Sequence, residues 1–162
     1  MESAVGWSLP NVFSLYVVRK YAAEFKELFP QMIERAGCLQ LIPAAKNVPD
    51  HIRRYLEEAS RCFIYGHSLG SLLVCRSAIE AAAKDRLREK GYARELREKG
   101  DSLMSILDLA LEKGLMDKTM CTLAHDVRRM AGKAAHPETI PDEGHCKWAF
   151  DATRGILQQL YE

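Results

Sequence analysis

A chain of 162 residues, of which 48% are hydrophobic, is long enough to form one domain with a buried core. Its 23 basic and 22 acidic side chains leave a formal net charge of +1, which excludes a general electrostatic attraction to nucleic acid or membranes but allows a local basic face. The apolar runs are too short to span a bilayer, and we expect no signal peptide because the N-terminus lacks a basic stretch followed by a long apolar segment.

Residues 1–47 are predicted to form a loose arm, one helix and a linker. Asn11 is a suitable helix cap, and apolar side chains after it share one helical face: Phe13, Val17, Tyr21, Phe25 and Leu28. The helix should end before Pro30 or continue weakly to Gly37. Residues 38–42 are short and apolar, and we expect extended coil there because no second strand is evident to pair with them.

Residues 48–162 are predicted to form a helical bundle organised around one long helix from Ser68 to Lys90. The helix before it should begin at Pro49 and Asp50, which both suit a first helical turn. Along the central helix, apolar side chains recur at helical spacing and form one stripe: Leu69, Leu72, Leu73, Ile79, Ala83 and Leu87.

Arg76 lies within this apolar stripe, where a permanent positive charge needs hydrogen-bond acceptors. Glu80, one turn later, is the nearest candidate, although Arg before Glu is the weaker orientation for such a pair. Two interpretations remain open. Arg76 and Glu80 form either an internal ion pair that specifies the fold or part of a functional cleft.

The last third of the chain carries the start and stop signals of three further helices. Asp101 or Ser102 can cap the first of them. Asp117 can cap the second, which should end before Pro137 because the residue preceding a proline avoids helical geometry. Residues 139–143 combine a cap, a proline and two acidic residues, and they predict the start of the last helix.

The fold class that follows from these segments is all-α. Residues 91–100 form a charged connector, in which we expect a solvated helical extension. No segment alternates convincingly with the period of two that a strand requires. The prediction is a single-domain bundle of five or six helices.

Ser68 lies in a Gly-x-Ser-x-Gly sequence, residues 66–70, that resembles the nucleophile elbow of esterases. Asp126, followed by His136 or His145, supplies an acid and a base in the order of that triad. The elbow requires a strand, a strained turn and a helix, whereas the residues before Ser68 have a helical pattern. A serine hydrolase is therefore a distant alternative.

The predicted fifth helix presents basic and imidazole groups on one face. At about 100° per residue, His125, Arg129, Gly132 and His136 share that face, and Arg128 lies on its border. A glycine there lets a backbone or a phosphate approach closely. An arginine beside a histidine can support RNA cleavage, because imidazole moves a proton and guanidinium stabilises phosphate charge. Alternatively, His136 forms a hydrogen bond with a helix end, and the arginines form a solvated face or pair with Glu80.

The candidate residues fall into two sets. The predicted catalytic residues are Arg128, Arg129 and His136, and the predicted polar cluster is Arg76, Glu80 and His125. No metal site or cofactor is predicted. The five cysteines are scattered without a close pair, which favours reduced core thiols in a cytoplasmic protein over disulfides or zinc binding.

Several segments together resemble the domain of unknown function 4145 family, which looks related to the HEPN-like (higher eukaryotes and prokaryotes nucleotide-binding) helical domains. The matching segments are Tyr55–Ala59 with Cys62, Cys75–Glu80, Leu103–Leu115 and Val127–Pro137. The resemblance extends over about residues 48–161. The N-terminal arm and first helix have no counterpart in it.

This resemblance implies an intracellular role in prokaryotic or phage defence, where such domains occur alone or fused to restriction and other defence enzymes. In HEPN ribonucleases an arginine and a histidine a few residues apart form the active site, usually across a dimer. Arg129 precedes His136 with six residues between them, and Arg128, with seven, better matches the arginine of the 4145 family. A polar residue, often asparagine, commonly stands four before the histidine, where this chain has Gly132.

Two functions follow as expectations. The first is a non-catalytic HEPN-like module that binds a partner protein, a nucleotide or RNA, as a homodimer. The second is a metal-independent, toxin-like endoribonuclease that uses Arg128 or Arg129 together with His136. Both are expected to act in the cytoplasm without membrane contact.

Overall fold

A computed structural model describes residues 9–39, 47–136 and 141–162, with side chains from residue 14 onward. In these ranges the chain forms seven α-helices and no strand: α1 (Leu9–Cys38), α2 (Asp50–Ile64), α3 (Ser68–Glu89), α4 (Ala93–Lys99), α5 (Leu103–Glu112), α6 (Lys118–Ala134) and α7 (Glu143–Tyr161). The predicted all-α bundle is therefore confirmed for the described residues. The predicted arm up to residue 8 and the predicted coil and linker over residues 40–46 lie outside them.

The described helices outnumber the five or six predicted, because the expected extension between Gly91 and Gly100 is a separate helix. Gly91 adopts a φ of +87° and Gly100 a φ of +86°, and this left-handed geometry interrupts a helix. The seven residues of α4 lie between these breaks and bury Leu96 in the core.

Helix α3 lies at the centre of the bundle and packs against α2, α4, α5, α6 and α7. Its buried residues are Ser71, Leu72, Cys75, Ala78, Ile79, Ala82, Ala83 and Leu87. The hydroxyl of Ser71 donates to the backbone oxygen of Ala59 at 3.0 Å, which satisfies a polar group in the core. The predicted stripe is wrong at Leu69, which is exposed, and at Leu73, which is only partly buried, because the buried face includes the small residues Ser71, Cys75, Ala78 and Ala82 instead.

Three helices begin with a side-chain cap. Ser102, Asp117 and Asp142 each accept a hydrogen bond from the backbone N–H three residues later, at 2.7–3.1 Å. These N–H groups stabilise the charged carboxylates and so lower the pKa of Asp117 and of Asp142. The first two caps are as predicted. At the start of α7 the cap is Asp142, and the predicted cap, Thr139, lies outside the described residues.

Helix α1 begins at Leu9, before the predicted cap Asn11, and continues through Pro30 to Cys38, so the second of the two predicted ends, a continuation to about Gly37, is confirmed. A proline removes one backbone hydrogen bond and distorts one turn, but the residues after it resume the helix. Among the described residues, the contact with the bundle is made at the C-terminal end of α1, where Met32 and the following Leu39 are buried. Arg35 donates from Nε to a carboxylate oxygen of Glu143 at 3.0 Å.

The predicted core thiols are confirmed for three of the five cysteines. Cys75, Cys121 and Cys146 are buried, Cys62 is partly buried, and Cys38 is exposed at the end of α1. Burial raises the pKa of Cys75 to about 12, so this thiol is protonated and unreactive at neutral pH. No described helix combines the length and the apolar character needed to cross a membrane.

Candidate functional site

A groove of about 490 Å³ lies where α3 and α6 meet the start of α5. We call it the arginine groove. It is lined by Arg76 and Glu80 from α3, by Arg128 and Gly132 from α6, and by Asp101, Ser102, Leu103 and Met104 around the α5 start. The structure therefore brings together Arg76 and Glu80 of the predicted polar cluster with Arg128 of the predicted catalytic set.

The two arginines of this groove have unsatisfied hydrogen-bond donors. The Nε atoms of Arg76 and Arg128 are buried, and neither has a hydrogen-bond partner among the described residues. A guanidinium remains charged at all accessible pH values, and a buried donor without an acceptor costs about 1–3 kcal/mol. An anion with several oxygens would satisfy both groups, because guanidinium binds phosphate and carboxylate through paired N–H donors.

Glu80 does not satisfy Arg76 in the way the sequence suggested. It accepts a hydrogen bond from Lys84 Nζ at 2.8 Å, and Lys84 also lies 3.6 Å from a carboxylate oxygen of Asp101. Donation of this hydrogen bond to Glu80 raises the pKa of Lys84. A glutamate four residues before a lysine is the stronger orientation on a helix, and an arginine four residues before a glutamate is the weaker one. The predicted ion pair between Arg76 and Glu80 is thus not formed among the described residues, and Glu80 pairs with Lys84 instead.

Gly132 leaves the floor of the arginine groove open. A Cβ atom built on Gly132 would meet no atom within 4 Å among the described residues. The glycine is exposed and lies one turn after Arg128, so a ligand held by that arginine can approach the α6 backbone. The predicted role of this glycine, close approach of a phosphate, is compatible with that geometry.

Arg129 lies on another side of α6 from Arg128. It is exposed and forms an ion pair with Asp126. Asp126 and Arg129 line a second groove of about 380 Å³ between α6 and α7, together with Lys133, His145 and Trp148. Adjacent helical residues point about 100° apart, so the two neighbouring arginines serve different surfaces.

The predicted histidines lie outside the arginine groove. His136 is exposed just beyond the end of α6, and its backbone N–H donates to the oxygen of Lys133 at 3.0 Å. Eight residues along a helix correspond to about 12 Å, so His136 lies more than two turns from Arg128. The ring of His125 instead contacts Asp108 of α5, with Nε2 3.2 Å from Oδ1.

Ser68 is the first residue of α3 and follows a turn that joins two helices. Gly66 adopts a φ of +78° in this turn, as a tight break between α2 and α3 requires. The backbone oxygen of Ser68 accepts a hydrogen bond from the Cys146 thiol at 3.3 Å. Helix α2 therefore occupies the position where an esterase elbow needs a strand.

Sequence reasoning missed Lys84 and Met104 as neighbours of this site. The spacing of Lys84 from Glu80 was an available signal, because the i, i+4 order favours that pair. Met104 belongs to the exposed start of α5, and its position beside the two arginines depends on how α5 packs against α3. No local pattern predicts that packing.

A family model described as "Domain of unknown function (DUF4145)" matches residues 57–162, which is more than half of the chain. The matched range contains every residue that lines the arginine groove and leaves out α1. No curated protein and no solved structure matches the chain.

Proposed function

The chain belongs to the DUF4145 family, and on that premise we propose that it is a HEPN-like module that binds a nucleotide or RNA through a phosphate held in the arginine groove. The observation that carries this proposal is the pair of buried, unsatisfied Nε–H donors of Arg76 and Arg128. The module acts as a homodimer in the cytoplasm, in a prokaryotic defence or stress system.

The charges around the groove support an anionic ligand. Glu80 and Asp101 both lie beside Lys84, which compensates part of their negative charge. Arg76 and Arg128 take part in no ion pair among the described residues. Their two positive charges are therefore available to a ligand, although the chain as a whole is almost neutral.

The wall of the groove favours a nucleotide over inorganic phosphate. Met104 is 50% exposed beside the arginines. Its flexible, polarisable side chain suits contact with a flat base, while the guanidinium groups hold the attached phosphate. A single strand of RNA offers both elements in one ligand.

Substitution of the groove arginines tests the proposal. Binding of a short fluorescent RNA and of a fluorescent adenine nucleotide is measured by polarisation for the full chain and for Arg76→Gln and Arg128→Gln. A hydrogen bond to a charged group contributes about 1.5–3 kcal/mol, so each change should weaken binding by roughly 10–150-fold. For RNA, the plot of log affinity against log salt concentration has a negative slope. That slope should become shallower by about 0.7 for each phosphate that the variant no longer neutralises.

Arg129→Gln is the matched control, because it makes the same change on the next residue of the same helix, outside the groove. It should leave affinity and salt slope within twofold of the unaltered chain. Equal losses for Arg128→Gln and Arg129→Gln would contradict a site in the arginine groove. Absence of binding to both ligands would contradict the function and leave a partner protein as the ligand to seek.

The endoribonuclease is the second candidate, because Arg128 lies in an open groove that admits a phosphate. Within one copy, His136 lies outside that groove. Cleavage therefore requires the histidine of a second copy, as the predicted dimer allows. Labelled RNA is incubated with the chain in EDTA, beside His136→Ala. Cleavage that rises with the square of protein concentration and disappears in His136→Ala would support the enzyme, whereas binding without cleavage would support the module.

A further inference from the structure

Three side chains with metal-binding atoms converge between α5 and α6, apart from the arginine groove. A carboxylate oxygen of Asp108, the Sγ atom of Cys121 and a ring nitrogen of His125 all lie within 4.8 Å of one another. Cys121 and His125 are four residues apart on α6 and so share one face. Asp108 belongs to α5, which packs against α6.

The three groups are arranged from the core outward. Cys121 is buried, and its thiol makes a long contact of 3.8 Å with the backbone oxygen of Leu107. The His125 side chain is 19% exposed, with Nε2 3.2 Å from Asp108 Oδ1, and the Asp108 side chain is 59% exposed. The buried thiol is thus reached from solvent past an imidazole and a carboxylate.

We propose that Asp108, Cys121 and His125 bind one zinc ion, with a fourth coordination position open to solvent. Thiolate, imidazole and carboxylate are the ligands of protein zinc sites, and the thiolate disfavours magnesium and calcium. Tetrahedral bonds of ordinary zinc lengths place ligand atoms about 3.3–3.6 Å apart. Because the three atoms already lie within 4.8 Å of one another, zinc binding requires them to approach by about 1.2 Å at most to reach that range.

Zinc binding at this position replaces the thiol proton, which passes to solvent, with a sulfur–zinc bond and involves no change of oxidation state. The metal joins α5 to α6 through bonds that do not depend on apolar packing. Arg128 lies two turns after Cys121 on the same helix, so the metal also fixes the element that presents Arg128. The inference stands without the proposed function, because it concerns different side chains.

Metal titration of the full, reduced and chelator-washed chain tests the inference. Cobalt(II) should produce one thiolate-to-cobalt charge-transfer band per chain, and zinc should abolish the band by displacement. Zinc analysis after dialysis should give one ion per chain, and bound zinc should raise the melting temperature. Cys121→Ser should remove the band and weaken zinc binding by more than about 100-fold, because loss of a direct ligand exceeds the effect of losing a residue that only orients one.

Asp108→Asn provides a second variant, since the exposed carboxylate can change without disturbing the core. It should weaken zinc binding by at least tenfold with an unchanged circular dichroism spectrum. Cys62→Ser and Cys38→Ser are the controls, because these thiols lie outside the cluster. Absence of a charge-transfer band, or a band that survives Cys121→Ser and is lost in a control, would overturn the inference.

Discussion

Helices α1 and α3 are the longest of the described chain, with 30 and 22 residues, yet they differ in what covers their apolar side chains. Helix α3 is enclosed by five other helices. Helix α1 leaves eight large apolar residues exposed: Leu15, Tyr16, Val18, Tyr21, Phe25, Leu28, Phe29 and Ile33. Tyr16 and Tyr21 are each 64% exposed. Helical periodicity therefore predicts both helices, but it does not show whether other helices cover their apolar side chains.

The same division appears in the family match, which includes α3 and leaves out α1. The match covers the part of the chain whose helices bury one another. Helix α1 lies outside that part, and its eight exposed apolar residues are the kind of surface feature that large interaction patches contain. The comparison thus separates a bundle of helices that bury one another from a helix whose large apolar side chains are mostly exposed.

One matched pair of substitutions gives the largest expected effect. Ile79→Ala in α3 removes side-chain atoms from a fully buried position and should lower the free energy of unfolding by about 2–5 kcal/mol. Ile33→Ala in α1 removes the same atoms from a residue that is 59% exposed. This change should alter the free energy of unfolding by no more than about 0.5 kcal/mol. Urea unfolding at a concentration at which the chain is monomeric measures both values.

Because both variants replace isoleucine by alanine in a helix, differences in helix propensity cancel between them. The difference between the two changes in the free energy of unfolding then measures the effect of burial alone. A cost for Ile33→Ala close to that for Ile79→Ala would show that α1 is covered in the monomer and would contradict its description as an open surface.

Dimerisation through α1 gives the next largest effect. Residues 9–23 of the helix carry Arg19 and Lys20 without an acid, whereas residues 24–38 carry more acidic than basic side chains. An antiparallel pair of α1 helices from two copies brings the basic half of each against the acidic half of the other, and one apolar surface serves both copies. We expect a homodimer that assembles in this way.

Placing two lysines on that surface, in a Val18→Lys and Phe25→Lys double variant, should dissociate the dimer. Loss of a hot-spot residue at the centre of an interface costs at least about 2 kcal/mol, so the dissociation constant should rise more than about 30-fold if Val18 or Phe25 is one. Analytical ultracentrifugation measures the change. Trp148→Lys, at an exposed aromatic of α7, is the control and should leave assembly unchanged. A monomeric parent chain, or a dimer that both variants preserve, would contradict assembly through α1.

Local signals predicted the parts of the fold that local chemistry determines. Ser102 and Asp117 cap helices as expected, because a cap depends on an acceptor and an N–H three residues away. Asn11 shows the limit of such signals, because α1 begins at Leu9, before this predicted cap. The sequence pattern placed Arg76 within the apolar stripe, where the structure has it only partly buried, and it did not identify Lys84 as the partner of Glu80.

The candidate site depends on packing between helices, which local spacing describes incompletely. The helical spacing placed Arg129 on the polar face of α6 and Arg128 on its border, and a rotation of α6 by one residue would exchange them. Packing of α6 against α3 and α5 places Arg128 in the groove and leaves Arg129 outside it. The cluster of Asp108, Cys121 and His125 was not predicted, because it contains no cysteine pair and because Asp108 comes from another helix.

Gly132→Ala gives the smallest effect and tests an exposed position on a helix whose other face is buried in the bundle. Alanine favours a helix over glycine by about 0.8–1.0 kcal/mol, and the added Cβ meets no described atom within 4 Å. The free energy of unfolding should therefore rise by about 1 kcal/mol. If a phosphate lies against the α6 backbone as proposed, the same methyl group should weaken RNA binding severalfold.

Gly155→Ala in α7 separates these two effects. Its Cβ would lie 3.9 Å from Met120 Cε, which is ordinary van der Waals contact, and Gly155 lies outside the arginine groove. The control should match Gly132→Ala in stability, measured by urea unfolding, and leave RNA affinity unchanged. Stabilisation by both variants with equal RNA affinity would show that the ligand does not approach Gly132, and the phosphate would then have to lie on the α3 side of the groove, between Arg76 and the start of α5.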